Sequence, residues 1–258
     1  MGKVITIANQ KGGVGKTTTA LSVGAQLEAK GYKVLYIDMD KQQNLSKVLK
    51  AKDNGKSTYN ILIDKAPANE LIQITEAGAH IIPASEIIDS VEGTLASAKN
   101  SIGKEYRLKE SLKTVIDKYD YIVIDTAPSL NIVTVNALVA TDKLIIVAIP
   151  DIFSIDAIKQ LSDIVESIKQ YTHSNIQIDG ILINRYTDRA NLNKMIKGAI
   201  EEIAQSIGTK VYKTTIREGI AVKEAQLSQE RLTEYAPASK INADYMSLTD
   251  EIIEGLGG

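Results

Sequence analysis

Short apolar runs alternate along this chain with longer stretches in which apolar and polar residues are mixed. Runs rich in Val and Ile occur at 3–8, 33–37, 80–83, 121–124, 144–149 and 178–183, with a weaker one at 210–212. Apolar runs of this length without a polar face are typical of strands that are covered on both sides of a sheet. They therefore predict strands in the middle layer of a layered fold.

The stretches between these runs have helical spacing. Helices are predicted at 17–30, where Gly31 supplies a stop signal, at 106–118 and at 155–171. Strands that alternate with helices predict an α/β fold, with a mostly parallel, twisted sheet of about seven or eight strands and helices on both faces. No linker-like or repetitive segment divides the 258 residues, so one domain over 1–258 is expected, with its least regular part at 52–79.

A glycine-rich loop joins the first predicted strand to the first predicted helix. Its sequence is Gln10-Lys11-Gly12-Gly13-Val14-Gly15-Lys16-Thr17-Thr18. Glycines let successive backbone N–H groups surround phosphate oxygens, and the helix N-terminus adds partial positive charge. Lys16 can then reach the outer phosphates, the Thr17 hydroxyl can ligate Mg²⁺, and Thr18 can add a hydroxyl contact. Because the usual P-loop pattern begins with glycine at the position of Gln10, this loop is a variant with a lysine on each side of its glycines.

Carboxylates stand at the ends of two predicted strands. Asp38 and Asp40 follow the strand at 33–37, and Asp125 follows the strand at 121–124. The carboxyl ends of parallel strands face the ligand crevice, so we expect Asp38 and Asp125 near a magnesium ion and Asp40 near the attacking water. The alternative is that these residues cap turns or helix starts, as aspartates often do.

Composition narrows the classes of function. The chain has no cysteine and two histidines, which excludes disulfides and thiolate-held metals and disfavours a multi-histidine metal site. Its net charge of −2 gives no global reason to bind nucleic acid, although the segment 185–231 holds nine Lys/Arg against six acidic residues. No apolar run approaches the roughly 18 residues of a membrane span, and no signal peptide is recognised. A cytoplasmic protein is expected.

The glycine loop resembles the deviant Walker A motif of the ParA/MinD family of P-loop ATPases. Residues 38–44 are similar to the first switch of that family, except for Lys41 where proline is usual, and residues 125–128 (Asp-Thr-Ala-Pro) are similar to its second switch. The resemblance extends from residue 3 to about residue 248. It implies ATP and Mg²⁺ as ligands, and an ATP-bound homodimer in which Lys11 reaches the nucleotide of the partner copy. Lys16 would act within its own subunit. The resemblance also assigns Lys11, Lys16 and Asp40 to the hydrolysis of ATP.

The same resemblance implies two further sets of contacts. Asn184 would contact the base, for which an amide that both donates and accepts suits an adenine edge; the alternative is an asparagine that caps the strand end. Arg189, Arg217 and Lys223 would bind double-stranded DNA without reading its sequence; the alternative is an ordinary solvated, salt-bridged surface. A dimer doubles such phosphate contacts, so DNA binding would depend on ATP.

Within the family, several types are disfavoured. Types that carry metal clusters need cysteines, and the acidic segment 244–255 does not suit the basic membrane helix of the MinD type. The early first strand favours the short, Soj-like ParA type, which acts in plasmid or chromosome partition with a ParB-like centromere-binding partner and associates with the nucleoid. The main alternative is a MinD-like or cargo-positioning ATPase that acts on a protein or membrane partner without DNA. A small-molecule ligase or kinase on the same scaffold is a third.

Overall fold

One eight-stranded sheet runs through the computed structural model, which describes residues 1–97, 103–187 and 191–256. The strands are β1 (Lys3–Ala8), β2 (Val34–Met39), β3 (Gln73–Ile74), β4 (His80–Ile82), β5 (Tyr121–Thr126), β6 (Lys143–Ala148), β7 (Gln177–Tyr186) and β8 (Ile216–Arg217). Their order across the sheet is β3-β4-β2-β5-β1-β6-β7-β8, and all neighbours are parallel except the pair β3 and β4. The first strand along the chain therefore lies near the middle of the sheet.

Helices connect the strands and cover the sheet. They are α1 (Lys16–Ala29), α2 (Asn44–Val48), α3 (Thr58–Asp64), α4 (Ser90–Ser97), α5 (Arg107–Leu112), α6 (Ile132–Ala140), α7 (Phe153–Thr172), α8 (Asn191–Ser206), α9 (Ile220–Leu227), α10 (Leu232–Tyr235) and α11 (Lys240–Leu256). Within the described ranges, no helix is both long enough and apolar enough to cross a bilayer.

Alternate residues of the central strands face opposite helical layers. Ile5 and Ile7 of β1 belong to the core formed with α1 and α11, whereas Val4 and Ala8 belong to the cores formed with α6 and its neighbours. This period of two on a strand that is buried on both sides explains the continuous apolar runs in the sequence. The predicted α/β fold with helices on both faces is confirmed.

The first predicted helix is confirmed to within a residue at each end. Helix α1 ends at Ala29, and Gly31 has a φ of +90°, in the left-handed region that glycine enters without a steric penalty. The prediction at 155–171 is also confirmed, because α7 covers it and buries its apolar side chains, among them Ile158 and Val165.

Two predicted elements were wrong in part. The run 210–212 is no strand, since Val211 makes only a single bridge to β7, and the edge of the sheet is formed by β8. The helix predicted at 106–118 is regular only as far as Leu112. The Thr114 hydroxyl donates to the backbone carbonyl of Ser111, and such local bonds compete with helix formation.

Candidate active site

The glycine loop lies at the carboxyl end of β1 and leads into α1. Gly13 and Gly15 have φ values of +74° and +100°, which residues with a Cβ rarely adopt. A Cβ at Gly15 would also collide with the side-chain amide of Asn184, at the end of β7. Glycine at this position is therefore required by both backbone conformation and close approach, and the loop takes the form that surrounds phosphate in other proteins.

Lys16, the first residue of α1, is buried at the foot of this loop. Its ammonium donates to the carbonyl oxygen of Lys11 at 3.2 Å. Burial lowers the pKa of Lys16, and the nearby carboxylates of Asp125 and Asp40 oppose that shift. An anionic phosphate at the loop would further offset the desolvation of this cation.

Asp125 of β5 is completely buried beside Asp38, its neighbour in the register of β2 and β5. Among the described residues neither carboxylate oxygen has a well-formed hydrogen-bond partner, although the Thr17 hydroxyl is close enough to stabilise the charge. Burial raises the pKa of Asp125 well above its usual range, and the Asp38 charge adds to the shift. A buried, unsatisfied carboxylate next to a threonine hydroxyl fits the oxygen ligands of Mg²⁺.

Asp38 has a different environment. Its carboxylate accepts hydrogen bonds from the N–H of Asp40 at 3.0 Å and from the N–H and hydroxyl of Ser46 at 2.9 and 2.7 Å. Burial raises the pKa of Asp38 to about 6, against the effect of the Ser46 hydrogen bonds. Asp38 therefore fastens α2 to the sheet, and its place in a magnesium shell stays a prediction.

A cleft of about 660 Å³ opens over the loop. It is lined by most of the predicted ligand-binding residues, including Asp40, whose carboxylate accepts the N–H of Gln42 at 3.0 Å. The predicted residues that line it are Gly12, Gly13, Gly15, Lys16, Thr17, Thr18 and Asp40. Val14, by contrast, packs its side chain into the core. The volume is within the range of small-ligand pockets.

Lys11 is absent from the lining of that cleft. Its ammonium forms an ion pair with Asp151, in the connection between β6 and α7, and lies 5.7 Å from the centre of the Phe153 ring. Burial by itself would raise the pKa of Asp151. The hydrogen bond and the charge of Lys11 outweigh that effect, so the pKa of Asp151 is lowered. Neither Asp151 nor Phe153 was predicted from the sequence, although Asp151 follows shortly after a strand and that signal was available.

Asn184 joins β7 to the loop. Its Nδ2 donates to the carbonyl oxygen of Val14 at 2.7 Å, and its Oδ1 accepts the N–H of Arg185 at 2.9 Å. The side chain is buried and does not line the cleft. These bonds fit the strand-end alternative, and contact with a base stays a prediction.

Comparison with known proteins agrees with this geometry. A family model described as an AAA domain (AAA_31) matches residues 2–178. The sporulation initiation inhibitor protein Soj of Bacillus subtilis is 35% identical over 98% of both chains. This chain belongs to the ParA/Soj family of P-loop ATPases. The chromosome partitioning protein ParA of Myxococcus xanthus is 31% identical over 98% of this chain and 89% of its own. The septum site-determining protein MinD of Pyrococcus horikoshii, solved with Mg-ADP, is 25% identical with a TM-score of 0.77, over 100% of this chain and 99% of that one.

In this ParA/Soj family member, the residues predicted to contact DNA differ in their surroundings. Arg189 lies outside the described residues. Arg217 of β8 donates from Nε and Nη2 to the two carboxylate oxygens of Asp244, each at 2.7 Å. Lys223 of α9 is exposed and makes no ion pair within the described part of the chain. Of the two candidates that the structure describes, Arg217 is paired and Lys223 makes no ion pair.

Helix α9 also touches the nucleotide loop. The Gln226 side chain donates from Nε2 to the Thr18 hydroxyl at 2.9 Å, and Gln226 and Gln229 line the cleft. The helix that carries Lys223 is thus in direct contact with the first turn of α1. This contact joins residues that are far apart in the sequence, and no local pattern predicted it.

Proposed function

We propose that this chain is a ParA-type ATPase of plasmid or chromosome partition. It binds Mg-ATP, forms a homodimer across the nucleotide, binds non-specific double-stranded DNA as a dimer, and releases the DNA when slow hydrolysis is stimulated by a ParB-like partner. Membership of the ParA/Soj family supports this proposal. One observation carries it: the loop has two lysines, of which Lys16 faces its own cleft and Lys11 stands outside it.

The groups that line the cleft, and Asp125 buried beneath it, each have a task in this proposal. The backbone N–H groups of the loop and the Lys16 ammonium hold the phosphates, while Thr17 and Asp125 are the residues that would hold the metal. When bound, Mg²⁺ neutralises charge on the phosphate oxygens. Asp40, which lines the cleft, orients the attacking water as a carboxylate base. Lys11 exchanges Asp151 for the nucleotide of the second copy, so ATP becomes part of the dimer interface.

A path from nucleotide to DNA follows from α9. Because Gln226 holds the Thr18 hydroxyl, a change at the loop acts directly on the helix that presents Lys223. We assign non-specific phosphate contacts to Lys223 and Arg189, and to Arg217 after it leaves Asp244. Dimerisation would place two such sets on one duplex, which explains why DNA binding would require ATP. We expect the protein to be cytoplasmic and associated with the nucleoid.

Lys11→Ala is expected to leave nucleotide binding by the single chain near its normal strength and to weaken the ATP-dependent dimer about a hundredfold or more. The reason is that each dimer would lose two charge-assisted contacts, each worth about 1.5–3 kcal/mol. Sedimentation velocity with a non-hydrolysable ATP analogue measures the dimer, and a fluorescent nucleotide measures binding.

Asp151→Asn is the matched control for Lys11, because it removes the partner of Lys11 within the chain and keeps the lysine itself. We expect its dimer to be at least as stable as that of the unchanged protein. Equal losses of nucleotide binding and dimerisation in Lys11→Ala would contradict an action of Lys11 across the interface.

Random duplex DNA is expected to bind in the presence of the ATP analogue and to bind much more weakly with ADP or without nucleotide. Lys223→Glu and Arg189→Glu should each weaken binding, and the slope of log K against log salt should fall by about 2, from one lost phosphate contact in each copy. Fluorescence anisotropy across a salt series measures both quantities. Lys159→Glu, an equal charge change at an exposed position of α7, is the control.

The competing function is positioning of a protein or membrane cargo without DNA. It gains support if DNA binding is equally weak in all three nucleotide states and if Arg189→Glu and Lys223→Glu change nothing. Co-sedimentation with anionic liposomes in the presence of ATP would then be the next measurement, and a positive result would replace the partition proposal.

A further inference from the structure

A cavity of about 780 Å³, which we call the amino-edge cavity, lies beside the last turns of α1. It opens where β2 and β4 begin, whereas the glycine loop follows the end of β1. Since β1, β2 and β4 run in the same direction, the amino-edge cavity and the nucleotide cleft lie at opposite edges of the sheet, and they share no lining residue. The volume is within the range of small-ligand pockets. A ligand bound there would not compete with ATP.

Aromatic rings line part of the amino-edge cavity. Tyr32, Tyr119 and His80 all contribute to its lining. The Tyr119 hydroxyl is hydrogen-bonded to Nδ1 of His80 at 2.7 Å, and the two rings meet edge to face with their centres 5.6 Å apart. The ring of Tyr32 is held in the same way by Tyr121, at 5.1 Å between centres. Rings that are already fixed offer a planar ligand contact area at little cost in side-chain entropy.

The charges of the lining favour an anion. Its two carboxylates, those of Glu28 and Glu234, are both paired with Arg231, whose Nε lies 2.9 Å from a Glu234 oxygen. Lys33 and Lys118 also line the cavity, are exposed, and make no ion pair within the ranges that the structure describes. The carboxylates are therefore neutralised inside the protein, and the two ammonium groups are left for a ligand.

Nearby acidic residues do not take up these ammonium groups. The Asp120 carboxylate accepts the backbone N–H of Lys33 at 2.8 Å, and the Asp117 carboxylate lies 4.0 Å from the terminal ammonium of Met1. The carbonyl oxygen of Lys33 in turn accepts the N–H of Asp120 at 2.9 Å, so the start of β2 is held against the turn that carries Lys118. Because lysine side chains are long and flexible, both ammonium groups can reach one anionic group.

We propose that the amino-edge cavity is a second ligand site, which takes a small, planar aromatic anion. The rings of the ligand lie against Tyr32 and Tyr119, and its anionic group lies against Lys33 and Lys118. Arg231 has a structural task, because its bonds to Glu28 and Glu234 tie α10 to α1 and so maintain one side of the cavity.

Two fluorescent probes that differ in one group test this inference. Anilinonaphthalene sulfonate is an aromatic anion, and phenylnaphthylamine has the same rings without the sulfonate. Saturating Mg-ADP keeps both out of the nucleotide cleft. We expect one sulfonate probe per chain, bound about threefold to tenfold more tightly than the neutral probe. Lys33→Ala combined with Lys118→Ala should remove that difference and leave the neutral probe unchanged, since exposed charge contacts contribute modestly. Lys159→Ala combined with Lys240→Ala, at two other exposed positions, is the control.

A cavity-filling variant tests the location. Ala77 lines the amino-edge cavity from an exposed turn between β3 and β4, so Ala77→Trp should reduce the binding of both probes tenfold or more. Ala96→Trp, the same change at an exposed position of α4, should leave it unchanged. Both variants should bind fluorescent ADP normally, which verifies that they are folded and separates this inference from the nucleotide site. Sulfonate binding that persists in Ala77→Trp, or equal affinity of the unmodified protein for the two probes, would overturn the inference.

Discussion

Lys16→Ala is expected to reduce ATP binding about a hundredfold to a thousandfold or more and to abolish the ATP-dependent dimer. The ammonium is buried at the foot of the loop, and burial lowers its pKa even with Asp125 and Asp40 beside it. Removal of one member of a buried charge contact costs about 2–5 kcal/mol, because the phosphate would meet the carboxylates without its cation. A fluorescent ATP analogue measures the affinity, and thermal unfolding verifies that the variant is folded.

A second lysine of the same cleft serves as the control for Lys16. Lys47 also lines the cleft, but it is exposed and its ammonium donates to the carbonyl oxygen of Gln42 at 2.7 Å. Lys47→Ala is therefore expected to change ATP affinity severalfold at most, since exposed charges are screened by water and salt. If Lys16→Ala bound ATP as strongly as Lys47→Ala, the loop would not be the phosphate site.

Asp40→Ala is expected to keep ATP and to accumulate the dimer while hydrolysis falls about a hundredfold to ten-thousandfold. A positioned carboxylate that takes a proton from water contributes a rate factor of about that size. Asp40 lines the cleft, and its removal takes away a negative charge near the phosphates, so nucleotide binding is not expected to weaken. Phosphate release measures turnover, and size-exclusion chromatography with ATP, ADP or neither measures the trapped dimer.

Asp89 offers a comparison for Asp40 within the same cleft. Its carboxylate pairs with the Lys41 ammonium at 2.6 Å, and both side chains are about half exposed. Asp89→Ala therefore removes one negative charge from the cleft, as Asp40→Ala does, but that charge is paired with Lys41. Turnover in Asp89→Ala is expected to stay close to normal. Hydrolysis at the usual rate in Asp40→Ala would show that Asp40 has no part in the mechanism.

The sequence predicted the parts of the fold that depend on short-range pattern. A strand that is buried on both faces has no polar side, so six strands were visible in the sequence as apolar runs. Their alternation with segments of helical spacing predicted the sheet with helices on both faces. The two-residue strands β3 and β8 were missed because such short segments carry no period. The helix predicted at 106–118 was longer than the observed α5. Periodicity shows which face of a helix is buried, but it does not show where a hydroxyl bonds the backbone and the helix ends.

The phosphate loop was determined by contiguous residues. Gly13 and Gly15 provide the left-handed backbone, and Lys16 and Thr17 follow at the start of a helix, so one strand, loop and helix are enough to build the site. Asp125 was visible for the same reason, at the end of an apolar strand. The sequence alone therefore determined which chemistry this protein is equipped for.

Only the tertiary structure decided how the other groups are used. Lys11 pairs with Asp151 some 140 positions away, Asn184 bonds Val14 across 170, and Gln226 reaches the Thr18 hydroxyl across 208. These contacts depend on β6 lying beside β1, on β7 lying beside β6, and on α9 reaching the first turn of α1. The order of strands in a sheet is set by packing of whole layers, which local periodicity does not encode. That is why the sequence predicted the type of each side chain but not its partner in the fold: the Asn184 amide bonds the loop at Val14, and its contact with a base stays a prediction.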